Sequence, residues 1–146
     1  MFVDAFLQFS AAQAVTSSAA STNVIDLGVA RDLGKGEALE IDIRVNTTVT
    51  AAGAATVQFQ LQTASDAAFT TPYTLVQTDA IPKASLVAGA AIPLHVDRAA
   101  PYAPQEFLRL YYNVGAGPLT AGAFTATIVK NIQDGGDQSA SGFSVT

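Results

Sequence analysis

Leu39-Glu-Ile-Asp-Ile-Arg-Val-Asn46 and Val57-Gln-Phe-Gln-Leu-Gln62 are the two runs that decide the fold. In the first, Leu39, Ile41, Ile43 and Val45 alternate with Glu40, Asp42, Arg44 and Asn46. Successive side chains of a strand point to opposite faces, so this run has one apolar face and one wet face. In the second, Val57, Phe59 and Leu61 alternate with Gln58, Gln60 and Gln62. Thr47 to Thr56 joins them, with Gly53 as its strong breaker. Two half-buried strands with a longish connection form the unit of an antiparallel sandwich or barrel. The wet face of the second strand carries amides instead of charges. An amide has no ionic desolvation cost, so another chain covers such a face more cheaply than a charged one.

Outward from this pair, the chain reads as short strands between turn signals. Val24 to Val29 is a short strand closed by Gly28, and Gly34 and Gly36 flank a turn at Lys35. Neither nucleotide-binding glycine spacing is present there. Ser65 to Ala68 reads as one helical turn capped at Ser65 or Asp66 and closed by Pro72. Strands follow at Tyr73 to Thr78 and Ala91 to Val96. Pro93 removes a ladder donor, so the latter is an edge strand or starts after the proline. Glu106 to Val114 places Leu108, Leu110 and Tyr112 on one face and Phe107, Arg109 and Tyr111 on the other. Ala123 to Ile132 is the last strong strand, with Phe124, Ala126, Ile128 and Lys130 on one side. Seven or eight strands with at most one helical turn predict an all-β, antiparallel two-sheet sandwich of jelly-roll or immunoglobulin type. Ile41, Ile43, Val57, Phe59, Leu61, Leu108, Leu110 and Ile128 are its expected core.

The 146 residues fit one domain of 1–146, with an N-terminal arm over about 1–23 and a flexible C-terminal tail over about 134–146. Met1 to Val15 holds Phe2, Val3, Phe6, Leu7 and Phe9 but no basic residue, so it lacks the start of a signal peptide. It is also too short to span a bilayer. Two readings of it stay open: a strand or turn on the protein's own core, or an apolar arm laid on a partner. Ala11 to Asn23 is small and polar and reads as an extended spacer.

The absence of cysteine excludes a disulfide framework and thiolate metal sites. Charged residues are only 13% of the chain, about half the usual quarter, so much of the surface is uncharged and desolvates cheaply. A net charge of −5, with the basic residues scattered, argues against nucleic acid.

Chemistry-bearing patterns are thin. His95 is the single histidine, and its place between Leu94 and Val96 puts it on the polar face of a strand. Asp134-Gly-Gly-Asp137 with Ser139 lacks the carboxylates of a calcium loop. No catalytic set, cofactor site or metal site is expected. Tyr111 and Tyr112 beside Phe107 are read as core on one side and interface on the other.

The opening Met-Phe-Val-Asp-Ala-Phe-Leu-Gln-Phe-Ser10, then Ala14-Val-Thr-Ser-Ser18, Val24-Ile-Asp-Leu-Gly28, Leu39-Glu-Ile-Asp-Ile-Arg-Val45 and Val57 to Ala64 followed by Ser65-Asp66 resemble the capsid cement, or decoration, proteins of Bordetella-type short-tailed bacteriophages. The resemblance runs over most of the chain and is strongest from Met1 to Ala68. It implies a jelly-roll protein, not an enzyme, on the outer surface of a phage head, made in the host bacterial cytoplasm. Its implied partners are the major capsid protein and other copies of itself, as a dimer or trimer, with no nucleic acid and no membrane. No contact residues carry over from the family. From their chemistry, Phe2, Phe6, Leu7, Phe9, Tyr102 and Tyr111 are the expected interface residues. The alternative is a jelly-roll carbohydrate-binding or adhesin module that stacks sugars on Tyr102, Tyr111 or Tyr112.

Overall fold

A computed structural model describes residues 3–33, 37–96 and 104–132. The two alternating runs are strands, and they lie in opposite sheets. The described strands are β1 (Gln8–Ala14), β2 (Ala19–Ala20), β3 (Ile25–Asp26), β4 (Leu39–Thr50), β5 (Thr56–Ala64), β6 (Tyr73–Gln77), β7 (Ile81–Pro82), β8 (Ala91–Val96), β9 (Phe107–Gly115) and β10 (Ala121–Val129). One sheet has the order β1-β10-β4-β8, and the other has β2-β9-β5-β6, with β3 on β9 and β7 on β5.

The pairing is nested: β1 with β10, β2 with β9, β4 with β8 and β5 with β6, all antiparallel. Nested antiparallel pairs are what a long two-stranded ladder gives when it is wrapped around a core, which is a jelly roll. The wrap brings β4 against β10 and β5 against β9, and these two ladders are the middle of each sheet. The immunoglobulin alternative is thereby set aside.

All eight expected core residues are buried. Phe59 and Tyr112 from one sheet meet Phe124 from the other. Phe59 sets its edge against Phe124 at 5.2 Å and against Tyr112 at 5.8 Å, while Tyr112 stacks on Phe124 at 5.4 Å. Offset and edge-on rings contribute beyond their buried area.

Several expectations need correction. The strand at Leu39 continues to Thr50, so only Ala51 to Ala55 connects it to β5. Register shifts against β10 let the longer strand bend and bring Val49 back to the core. Ser65 to Ala68 forms a turn, not a helix. The Thr70 N–H and hydroxyl donate to the Asp66 carboxylate, which lies below its ordinary range as a result. β10 ends at Val129, leaving Lys130 exposed and outside the strand. The segment 11–23 is no free spacer: it finishes β1, crosses to the other sheet and makes β2. Gln13 staples that crossing, donating to the Ala20 carbonyl and accepting from the Thr22 N–H. The Asp134 to Ser139 loop and the tail lie outside the described residues.

Among the described residues several sheet edges are blunted, β6 being the plain one. β1 carries register shifts and Ala12 at φ 47°. β8 contains Pro93, as its composition predicts, and β2, β3 and β7 are two residues each. Short, bulged or proline-bearing edges resist strand addition by another chain.

Tyr112 links burial to pH. Its hydroxyl lies 2.5 Å from Ser10 Oγ inside the core. Burial disfavours the phenolate and pushes the Tyr112 pKa from 10.0 up to about 12. The folded state therefore holds this proton more tightly than the unfolded chain. That stability is fully present below pH 10 and is lost as pH rises towards 12. We expect the wild type to lose roughly 2–3 kcal/mol across that window. Tyr112→Phe has no such proton to lose. Denaturant titrations from pH 9 to 12 check this, and parallel decline of both proteins would refute it.

Candidate interaction surfaces

The outer face of the β2-β9-β5-β6 sheet is built by the even positions of β5 and the odd positions of β9. Register pairs Gln58 with Asn113, Gln60 with Tyr111 and Gln62 with Arg109. On β5 these side chains lie two residues apart on one face, close enough for each amide to reach the next. They form a hydrogen-bonded chain with a single direction. Arg109 Nε donates to Gln62 Oε1 at 2.9 Å. Gln62 Nε2 donates to Gln60 Oε1 at 3.2 Å, and Gln60 Nε2 donates to Gln58 Oε1 at 3.1 Å. Gln58 Nε2 ends the chain on the Thr78 carbonyl at 3.0 Å. Gln77 Oε1 and Asn113 Nδ2 join it from the flanking strands. A guanidinium can only donate, so Arg109 sets the direction in which every amide points. Chained bonds polarise one another, which holds the amides in place.

Arg109 is itself held by aromatic rings. Its guanidinium carbon lies 4.3 Å from the centre of the Phe69 ring and 5.5 Å from that of Tyr111. Partial burial lowers its pKa below the ordinary arginine value, while the nearby Tyr111 opposes that shift. Phe69 comes from the turn after β5, where it has a φ of 52° and its buried ring lies against the Arg109 guanidinium.

The second surface is at the N-terminus. Asp4 caps a 3₁₀ turn over Ala5–Leu7, accepting from the Phe6 N–H at 2.9 Å. The turn leaves Phe6 90% and Leu7 37% exposed, near the exposed Val3 and Val24. Phe6 lines one shallow groove with Gln8, Asn23 and Val24. Leu7 lines another with Leu39, Ile128 and Val129.

Of the expected interface residues, Phe6 and Leu7 are thus on a surface. Tyr111 is on the amide face. Phe9 is not on a surface: it is 0% exposed within the protein's own core, because β1 pairs with β10 and turns it inward. Tyr112 is likewise core and is unavailable for stacking. Phe2 and Tyr102 lie outside the described residues. Arg109, Phe69 and the glutamine chain complete the sheet surface. The alternation of β9 places Arg109 beside Tyr111, whereas nothing in the sequence signals Phe69.

The outer face of the other sheet is ionic. The Arg44 Nε contacts both Asp42 carboxylate oxygens, at 2.8 and 3.0 Å. His95 Nδ1 is 3.6 Å from Glu40 Oε1, and Glu40 Oε2 accepts from the Ile132 N–H. Among the described residues, no cluster of three His, Cys, Asp or Glu could hold a metal ion, and no helix is long and apolar enough to cross a membrane.

The family model Bbp16 matches residues 9–128. The chain belongs to the Bbp16 family. The match covers most of the chain, including all of β2 to β9 and nearly all of β1 and β10, and fits a family of Bordetella phage proteins. No curated protein matches the chain.

Proposed function

We propose that this Bbp16-family protein is a capsid cement protein. It binds the outside of a phage head, bridges neighbouring capsomers of the major capsid protein and does no catalysis. The observation that carries the reading is the uncharged, internally bonded amide face around Arg109. A cement protein must desolvate a stable interface, typically about 1,200–2,000 Å² in total. Amides already bonded to one another lose little when water leaves, whereas free carboxylates and ammonium groups lose much. The blunted edges at β1, β2 and β8 favour contact through faces and the N-terminal surface over strand addition there. Closed symmetry of the shell favours a dimer or trimer of the protein at each joint.

The test is to mix the purified protein with phage heads lacking it. Co-sedimentation in saturable proportion, with a higher temperature of head disruption, is the expected result. Failure to bind heads, together with retention on immobilised glycans, would favour the jelly-roll lectin alternative instead.

A further inference from the structure

Arg109 has an unusual electrostatic position. It is partly buried, and its Nε donor is committed to Gln62. Among the described residues no carboxylate pairs with it. Arg44, by contrast, sits on Asp42. A guanidinium has five N–H donors, so among the described residues four, on the two Nη atoms, remain for a partner. The two rings at 4.3 and 5.5 Å and the bond to Gln62 hold the fork before any partner arrives. Around it the sheet face presents Gln58, Gln60, Gln62, Tyr111 and Asn113, none of them charged at neutral pH, and the exposed Asp26 lies beyond Phe107 at the β3 end of the face.

We propose that this face docks a protein surface that presents one carboxylate side chain, Asp or Glu, within an otherwise uncharged patch. The carboxylate receives the Nη donors of Arg109, and Tyr111 and the amides cover its surroundings. Charge complementarity selects this occupant. A lone fixed cation on an amide face matches a single anion, and planar forks pair with carboxylates in bidentate fashion. Nucleic acid would need many cations along a track, and among the described residues this face has one. An aromatic-flanked arginine in a neutral surround also has the make-up of an interface hot spot. The inference rests on the cement reading only in taking the partner to be part of the head.

The experiment has two arms. In the first, wild type, Arg109→Gln and Arg109→Lys are sedimented with heads at several salt concentrations, after circular dichroism shows each variant folded. Arg109→Gln should weaken binding by about 30-fold or more, the expected loss for a buried, hydrogen-bonded charge pair. Arg109→Lys should fall between, since it keeps the charge and loses the fork. Equal binding of wild type and Arg109→Gln would overturn the inference and leave the cement reading intact. Loss of self-association with head binding unchanged would make the occupant a second copy and also overturn it.

The second arm needs no heads. The side-chain Nε–H resonance of Arg109 is followed by NMR during titration with sodium acetate, against sodium chloride at equal concentration. It should move saturably with acetate, and the Arg31 resonance should not. If the wild type ignores heads but Arg109 responds to acetate, the cement reading fails and the carboxylate site stands. If Arg109 moves no more than Arg31, the carboxylate site itself is wrong.

Discussion

Phe59→Ala is expected to lower stability by about 3–5 kcal/mol, the range for removing a fully buried phenylalanine with partial collapse of the cavity. The upper part of that range applies because this ring has no slack around it. Phe59 is 0% exposed and sets its edge against both Tyr112 and Phe124. Removing it takes away two ring contacts at once and leaves the stacked pair of Tyr112 and Phe124 without a floor. The loss is a large part of the roughly 5–15 kcal/mol that holds a typical native state together. Phe124→Leu, which keeps most of the volume, should cost less. Urea denaturation of the three proteins at neutral pH makes the comparison. An unchanged midpoint for Phe59→Ala would mean that the sandwich is not closed by this cluster.

The position of Phe59 is legible in the sequence because a strand repeats every two residues. Once Val57 and Leu61 are apolar and the glutamines are not, the phase of β5 is determined. The same logic orients β4 and β9, and it puts Arg109 and Tyr111 together on the outside. Period alone does not pair the strands. Leu39 to Asn46 and Val57 to Gln62 are neighbours in sequence, yet they sit in opposite sheets, because β10 and β9 return from far along the chain to pair with them. Nor does period give the direction of the amide chain, which depends on the register that sets Arg109 opposite Gln62. Phe69 is harder still. It reaches the amide face from a turn at positive φ, where no alternation operates. The N-terminus misleads for a related reason. Phe6 and Phe9 look alike as apolar residues three apart, and only the change from a 3₁₀ turn to a strand at Gln8 sends one outward and the other inward.

That change predicts a sharp boundary for truncation. Removing residues 1–7 takes away the capped turn, the fully displayed Phe6 and the half-covered Leu7. It leaves the whole of β1, including Phe9 and Ser10, so the protein should stay folded with a loss within about 1 kcal/mol, near the range for surface changes. Removing residues 1–10 should be far worse. It deletes Phe9 from the core, breaks the buried bond between Ser10 and Tyr112, and halves an edge strand of the β1-β10-β4-β8 sheet. Phe9 alone is expected to account for about 3–5 kcal/mol. The exposed turn has the opposite profile. A side chain as open as Phe6 contributes little to its own fold, but burial against a capsid protein or a second copy would contribute about 1.5–3 kcal/mol. Phe6→Ser should therefore melt like the wild type while binding heads about 10- to 150-fold more weakly. Thermal melts by circular dichroism separate the two truncations, and sedimentation with heads judges Phe6. Unfolding on loss of residues 1–7 would show that the turn is structural, and full binding by Phe6→Ser would remove it from the interface.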